Sequence, residues 1–116
     1  MKAMLAISLK KQKSLHWTHH SRNKMRYYRL SEARVKRVLR APLRIEEGIV
    51  PKTVAYMQQA GSKARPTEIW AMVLDEPQRR KVITAWRYPG KSPVRNPVPF
   101  AILREVSEFL RADEEA

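Results

Sequence analysis

The spacing of apolar and polar positions changes along the chain, and each change of period marks a new element. Residues 3 to 9 alternate only briefly, which suits an edge strand or a lead-in. Residues 14 to 18, Ser-Leu-His-Trp-Thr, carry aromatic and β-branched side chains and predict a short strand. Residues 19 to 29 lack Gly and Pro and are rich in Arg, Lys and Met, which predicts a helix. In that helix Arg22, Arg26 and Arg29 fall at i, i+4 and i+7, one stripe that must face solvent or a ligand. Ser31 is suited to cap a second helix running through Arg40, with Leu30, Val35, Val38 and Leu39 spaced for one buried face. Arg34, Lys36, Arg37 and Arg40 lie opposite, and Pro42 stops the helix.

Beyond Pro42 the period becomes two. Leu43 and Ile45 alternate with Arg44 and Glu46, and residues 53 to 58 continue in extended style. Residues 60 to 66 read as a turn, 68 to 74 as a central strand and 75 to 78 as another turn. The next strand, residues 81 to 88, is expected to put Val82, Thr84, Trp86 and Tyr88 on one face and Ile83, Ala85 and Arg87 on the other. Four of the eight prolines fall between Pro89 and Pro99, predicting a stiff connector over 91–99. After it, Ile102, Leu103, Val106, Phe109 and Leu110 form the apolar stripe of an amphipathic helix within residues 100–116. That helix would dock on its own sheet or on a second copy, making a homodimer. The expected architecture is α+β. Two N-terminal helices pack on an antiparallel meander sheet of about four strands over residues 1–90, followed by the connector and the extra C-terminal amphipathic helix.

Charge sharpens this picture. The formal net charge is +13, and residues 1 to 44 hold 13 Lys or Arg against one acid. Residues 45 to 99 hold 9 against 5, and residues 100 to 116 hold 2 against 5. An excess concentrated in one third of a sequence repels itself and is suited to meet phosphates, so RNA is the expected partner. An acidic protein would neutralise the same surface. A membrane is not expected, because no strongly apolar face bearing exposed aromatic residues backs the cations. The chain has no Cys, which removes disulfides and thiolate chemistry and points to the cytoplasm. Its three glycines stand isolated, so no phosphate-cradling loop and no nucleotide cofactor are expected.

The run from His20 through Lys24-Met25, Tyr28, Leu30 and Ser31, followed by Val35 and Val38-Leu39, resembles the opening of the bacterial family called domain of unknown function 4258. Residues 68 to 74 and 82 to 89 are similar to that family's closing strands, where Thr and Tyr recur at the places of Thr84 and Tyr88. The resemblance covers residues 15 to 90 and extends to the layout of the RelE and ParE toxin superfamily. It implies a RelE-like fold, ribonuclease activity on messenger RNA at the ribosome, and an acidic antitoxin-like partner. The chain departs from the pattern at Lys24, where Arg is usual, and at Tyr28, where a second Arg is usual. Lys keeps the charge but not the planar grip on phosphate, and Tyr28 does not keep the charge.

Metal-independent RNA cleavage needs a base for the 2′-hydroxyl proton, an acid for the leaving oxygen and cations around the phosphate. The three histidines, His16, His19 and His20, all lie where the first strand enters the first helix. A catalytic set would place His20 as acid or base, Lys24 and Arg87 as phosphate clamps and Tyr88 as orienter or stacking platform, with Thr84 nearby. Arg22, Arg26, Arg29, Arg34 and Arg37 would bind the nucleic acid. No metal site is expected, since no Cys joins the histidines and adjacent histidines point apart on a helix. Two readings stay open, a metal-independent endoribonuclease and a non-catalytic module that binds nucleic acid or an acidic protein. Convergence of His20, Lys24, Arg87 and Tyr88 on one open cleft would distinguish them.

Overall fold

β1 (Ser14–Trp17) leads without a turn into α1 (His19–Tyr28) and α2 (Glu32–Arg40), followed by β2 (Arg44–Glu47), β3 (Thr53–Gly61), β4 (Pro66–Asp75) and β5 (Arg79–Pro89). The computed structural model describes residues 13 to 48 and 50 to 93. The alternating stretch at 3 to 9, residues 94 to 99 of the expected connector and the expected C-terminal helix lie outside the described residues.

The strands do not form a four-stranded antiparallel meander. Five strands make one mixed sheet in the order β1-β5-β4-β3-β2, with β1 parallel to β5 and the other neighbours antiparallel. Among the described residues no helix follows β5. The parallel edge has a local cause. Thr18 caps α1 with its side chain and donates from Oγ1 to the carbonyl of Val82 at 3.1 Å, fixing the helix start beside β5. At the other end of α1 the Arg87 Nε donates to the Tyr28 carbonyl at 3.0 Å. The chain therefore follows β5 from β1 through α1 in one direction, and an antiparallel pairing would need a reversal that no turn supplies.

Both helices end as their sequences dictate. Ser31 accepts from the Arg34 amide at 3.0 Å, the side-chain cap expected of it. α1 closes on Arg29 in the left-handed region at φ 56°, with the Leu30 amide bonded back to Met25 at 2.8 Å. That bond and the burial of Met25 and Leu30 make a Schellman ending in which Arg29 occupies the place glycine usually takes.

The helices cover one face of the sheet, where Met25, Leu30, Val35 and Val38 pack on Ile69, Ala71, Val73, Val82 and Ala85. Trp70 and Trp86 stack on the opposite face at 5.7 Å with Ala55, Met57, Met72 and Ile83 around them. A register shift opposite Met72 and Val73 alters the expected facing of β5. Val82 pairs with Val73 and Thr84 with Met72, so Val82 joins the helix side while Ile83 joins the Trp side. The buried Thr84 hydroxyl has no hydrogen-bond partner among the described residues. Thr84→Val is therefore expected to hold or raise stability by about 1 kcal/mol, because it removes an orphaned hydroxyl at nearly constant shape. Urea unfolding of the variant checks this.

β2 turns its polar side inward. Leu43 and Ile45 are 59% and 58% exposed, whereas Arg44 and Glu46 are half-buried against the Trp face. Arg44 donates through Nη1 to Ser92 Oγ and carbonyl at 3.1 and 3.0 Å, and through Nη2 to Glu46 at 2.8 Å. Its guanidinium also lies 5.2 Å from the Trp70 ring. The carboxylate at the centre is Glu68, 1% exposed, which accepts from Trp70 Nε1 at 2.9 Å and from Ser92 Oγ at 2.6 Å. This polar knot outcompetes the apolar pair at 43 and 45 for the inside position, since a buried carboxylate must be satisfied.

Candidate nucleic-acid interface

Lys13, Leu15 and Trp17 alternate onto one face of the β1 segment, and Arg80 of β5 stands opposite Leu15 on the same face. Lys36, Leu39 and Arg40 descend from the C-terminal half of α2 to meet them. Together these seven residues line an open groove of about 630 Å³ whose floor is apolar and whose walls carry four cations. Trp17 is half-buried against the helix-side core, and the Arg22 guanidinium of α1 lies 6.0 Å from its ring. Arg22 is in turn held by Glu32 at 2.9 Å, which ties α1 to α2 at the rim.

The four groove cations are not equivalent. Asp75 accepts from Arg80 through both carboxylate oxygens at 2.7 and 3.2 Å and lies 3.7 Å from Lys13. Neither Lys36 nor Arg40 has an acidic partner among the described residues, and both are exposed. A polyanion would therefore find two uncommitted charges on α2 and two on the sheet that a carboxylate already holds in place.

Burial opposes ionisation of Asp75, but the hydrogen bond from Arg80, reinforced by the charges of Arg80 and Lys13, outweighs it and holds the carboxyl below its usual range. Glu76 is lowered as well, first by the hydrogen bond from Arg79 and against a smaller opposing effect of burial. Both folded values are depressed, so the stability these groups supply is complete above the unfolded carboxylate range of about pH 4 and is lost as pH falls through the folded values. Urea midpoints are expected to drop as pH falls below about 4, and Asp75→Asn with Glu76→Gln is expected to flatten that drop.

The residues expected to cut RNA are placed as follows. His20 is half-buried in the first turn of α1, and Lys24 follows it by one turn with its Nζ 5.9 Å from the Tyr27 ring. Arg87 lies at the opposite end of α1 with its Nε bonded to Tyr28, eight residues from His20, or about 12 Å along the helix. Tyr88 pairs with Glu68 and packs on the Trp face, on the other side of the sheet from Arg87. His20 and Lys24 thus share a helix, Arg87 braces its far end, and Tyr88 faces away. His16 and His19 are exposed on β1 and α1, and among the described residues no three potential ligands gather to hold a metal.

The arginines expected to bind nucleic acid divide between surface and structure. Arg22, Arg26 and Arg29 are exposed along α1, where Arg26 bonds Asn23 at 2.6 Å and Arg22 reaches the groove rim. Arg37 is exposed on α2. Arg34 is half-buried and bonds Gln58 at 2.6 Å, while Gln58 caps α2 through the carbonyls of Arg37 and Ala41. Burial, then the neighbouring charges of Arg37 and Arg87, lower the Arg34 pKa. Lys13, Trp17 and Arg80 were not singled out by sequence reasoning. The spacing of Lys13, Leu15 and Trp17 by twos carried the signal, but only the β1–β5 pairing shows which residues they meet.

No protein-family model, no curated protein and no solved structure matches the chain.

Proposed function

We propose that this chain is an RNA-binding module that grips phosphates in the groove between β1 and α2 and does not cut the strand. The observation that carries the reading is the pair Lys36 and Arg40, exposed and without an acidic partner among the described residues, at the mouth of a groove that Lys13 and Arg80 also line. Two uncommitted cations on an apolar-floored groove repel each other until an anion arrives. The concentration of charge in residues 1 to 44 supports the same ligand class.

Cleavage would need His20, Lys24, Arg87 and Tyr88 around one phosphate. Arg87 instead braces the end of α1 and Tyr88 packs on the opposite face of the sheet, which favours binding over chemistry. The test is incubation of end-labelled RNA with wild type and His20→Ala. Salt-sensitive binding by both proteins, with the RNA intact, is the expected result. Cleavage by wild type that His20→Ala loses would establish a nuclease. Failure of wild type to bind RNA would assign the basic surface to an acidic protein.

A further inference from the structure

The groove is more than a basic patch, because its floor is apolar and includes an indole. Leu15, Leu39 and Trp17 lie among Lys13, Lys36, Arg40 and Arg80 in an open groove. Among the described residues β1 is an edge strand with a neighbour on one side only. Phosphates alone would be served by the cations and would leave the three apolar side chains in contact with water or with sugar. A nucleic acid base offers what this floor lacks, a flat apolar face carried beside a charged backbone.

From this we infer that the groove selects single-stranded over duplex RNA, with one base lodged on Trp17 and its flanking phosphates on Lys36 and Arg40. The inference rests on the RNA-binding reading and adds to it the form of the ligand. In a duplex the bases are stacked on one another, and the groove would meet only sugar and phosphate, so the Trp17 face would be desolvated without a partner. A single strand can turn a base outward onto the ring at little cost. The volume of about 630 Å³ is of the size that ordinary ligand pockets devote to small molecules, which fits one or two nucleotides and not a helix. Trp17 has the position such a platform needs. It is partly buried against the helix-side core and also lines the groove beside the cations. The Arg22 guanidinium lies 6.0 Å from the ring centroid, at the outer edge of cation–π range, and adds a further positive charge beside the indole.

The experiment compares three probes of equal length, an unstructured single-stranded RNA, its DNA counterpart and a blunt duplex RNA, against wild type, Trp17→Ala and Trp17→Phe. Wild type is expected to bind the single-stranded RNA about tenfold more tightly than the duplex at one salt concentration. Trp17→Ala is expected to lose about tenfold for the single strand and nothing for the duplex, since one base–aromatic contact is worth that much. Trp17→Phe keeps an aromatic ring on the core and is expected to retain most of the preference, which separates stacking from a folding defect. Equal binding of single strand and duplex by wild type would overturn the inference while leaving RNA binding intact. Unchanged single-strand affinity in Trp17→Phe and Trp17→Ala would also overturn it. No binding of any probe would reject the RNA reading itself. The DNA probe tells whether the sugar matters, and equal binding of the RNA and DNA single strands would leave stacking as the determinant.

Discussion

Glu68→Ala is expected to destabilise the domain by about 3–5 kcal/mol, a large fraction of what a domain of this size has. The carboxylate is 1% exposed and accepts from Trp70 Nε1, from the Ser92 amide at 3.1 Å and from Ser92 Oγ, while Arg44 stands 3.6 Å away. Deleting it strands two or three buried donors at once and leaves the Arg44 guanidinium facing a gap. Glu68→Gln keeps the shape and one acceptor, and about half of that loss is expected from it. Urea unfolding followed by Trp fluorescence reads the effect, since Trp70 sits in the knot. A loss below about 1 kcal/mol for Glu68→Ala would mean that the knot is decoration on a core that holds itself.

Lys36→Glu combined with Arg40→Glu is expected to weaken RNA binding by about 100-fold or more at low salt, with little change in unfolding. Both side chains are exposed and packed on nothing that the helix needs, because Val35 and Val38 carry its core contacts. The reversal does two things. It removes two phosphate contacts and places two carboxylates where phosphates should lie, each a like-charge juxtaposition. Lys52→Glu with Lys63→Glu changes the net charge equally on exposed positions away from the groove, and only a small loss of affinity is expected there. Equal losses in the two pairs would show that overall charge attracts the RNA without any groove.

Much of the local structure could be read along the chain. The Ser31 cap, the buried Val35 and Val38, the turn at 75 to 78 and the strands through Trp70 and Trp86 follow from period and capping chemistry. What could not be read is what each element meets. The partner of β1 is β5, far along the chain, and no local pattern encodes that pairing or its parallel sense. The inward turn of Arg44 and Glu46 was equally hidden, because it depends on Glu68 and Ser92, which lie on the same face but far along the chain. Alternation alone does not say which side of β2 faces in, and the polar knot leaves Leu43 and Ile45 exposed. The irregularity near Ile83 shifted two apolar side chains across the sheet for the same kind of reason.

For the candidate site the limit was similar. An Arg stripe on α1 is visible as an i, i+4, i+7 pattern, and the structure leaves it exposed. The sequence pattern does not distinguish Arg34, which bonds Gln58 beneath α2, from Arg40, which is exposed at the groove. Nor does it show that Arg87 serves the end of α1 through Tyr28. Trp17 looks in sequence like one more strand aromatic, and only its neighbours Lys36, Arg40 and Arg80 give it a different meaning.

If the basic groove grips RNA through its phosphates, as proposed, its affinity is governed by salt. Affinity of wild type for an unstructured single-stranded RNA should fall linearly on a log–log plot of binding constant against salt. Each neutralised phosphate contributes a slope of about −0.7, so contacts at Lys36 and Arg40 alone predict a slope at least as steep as about −1.4. Lys36→Glu with Arg40→Glu should make that slope shallower by about the same amount. A flat plot, or a slope that the double variant leaves unchanged, would mean that Lys36 and Arg40 do not meet phosphates.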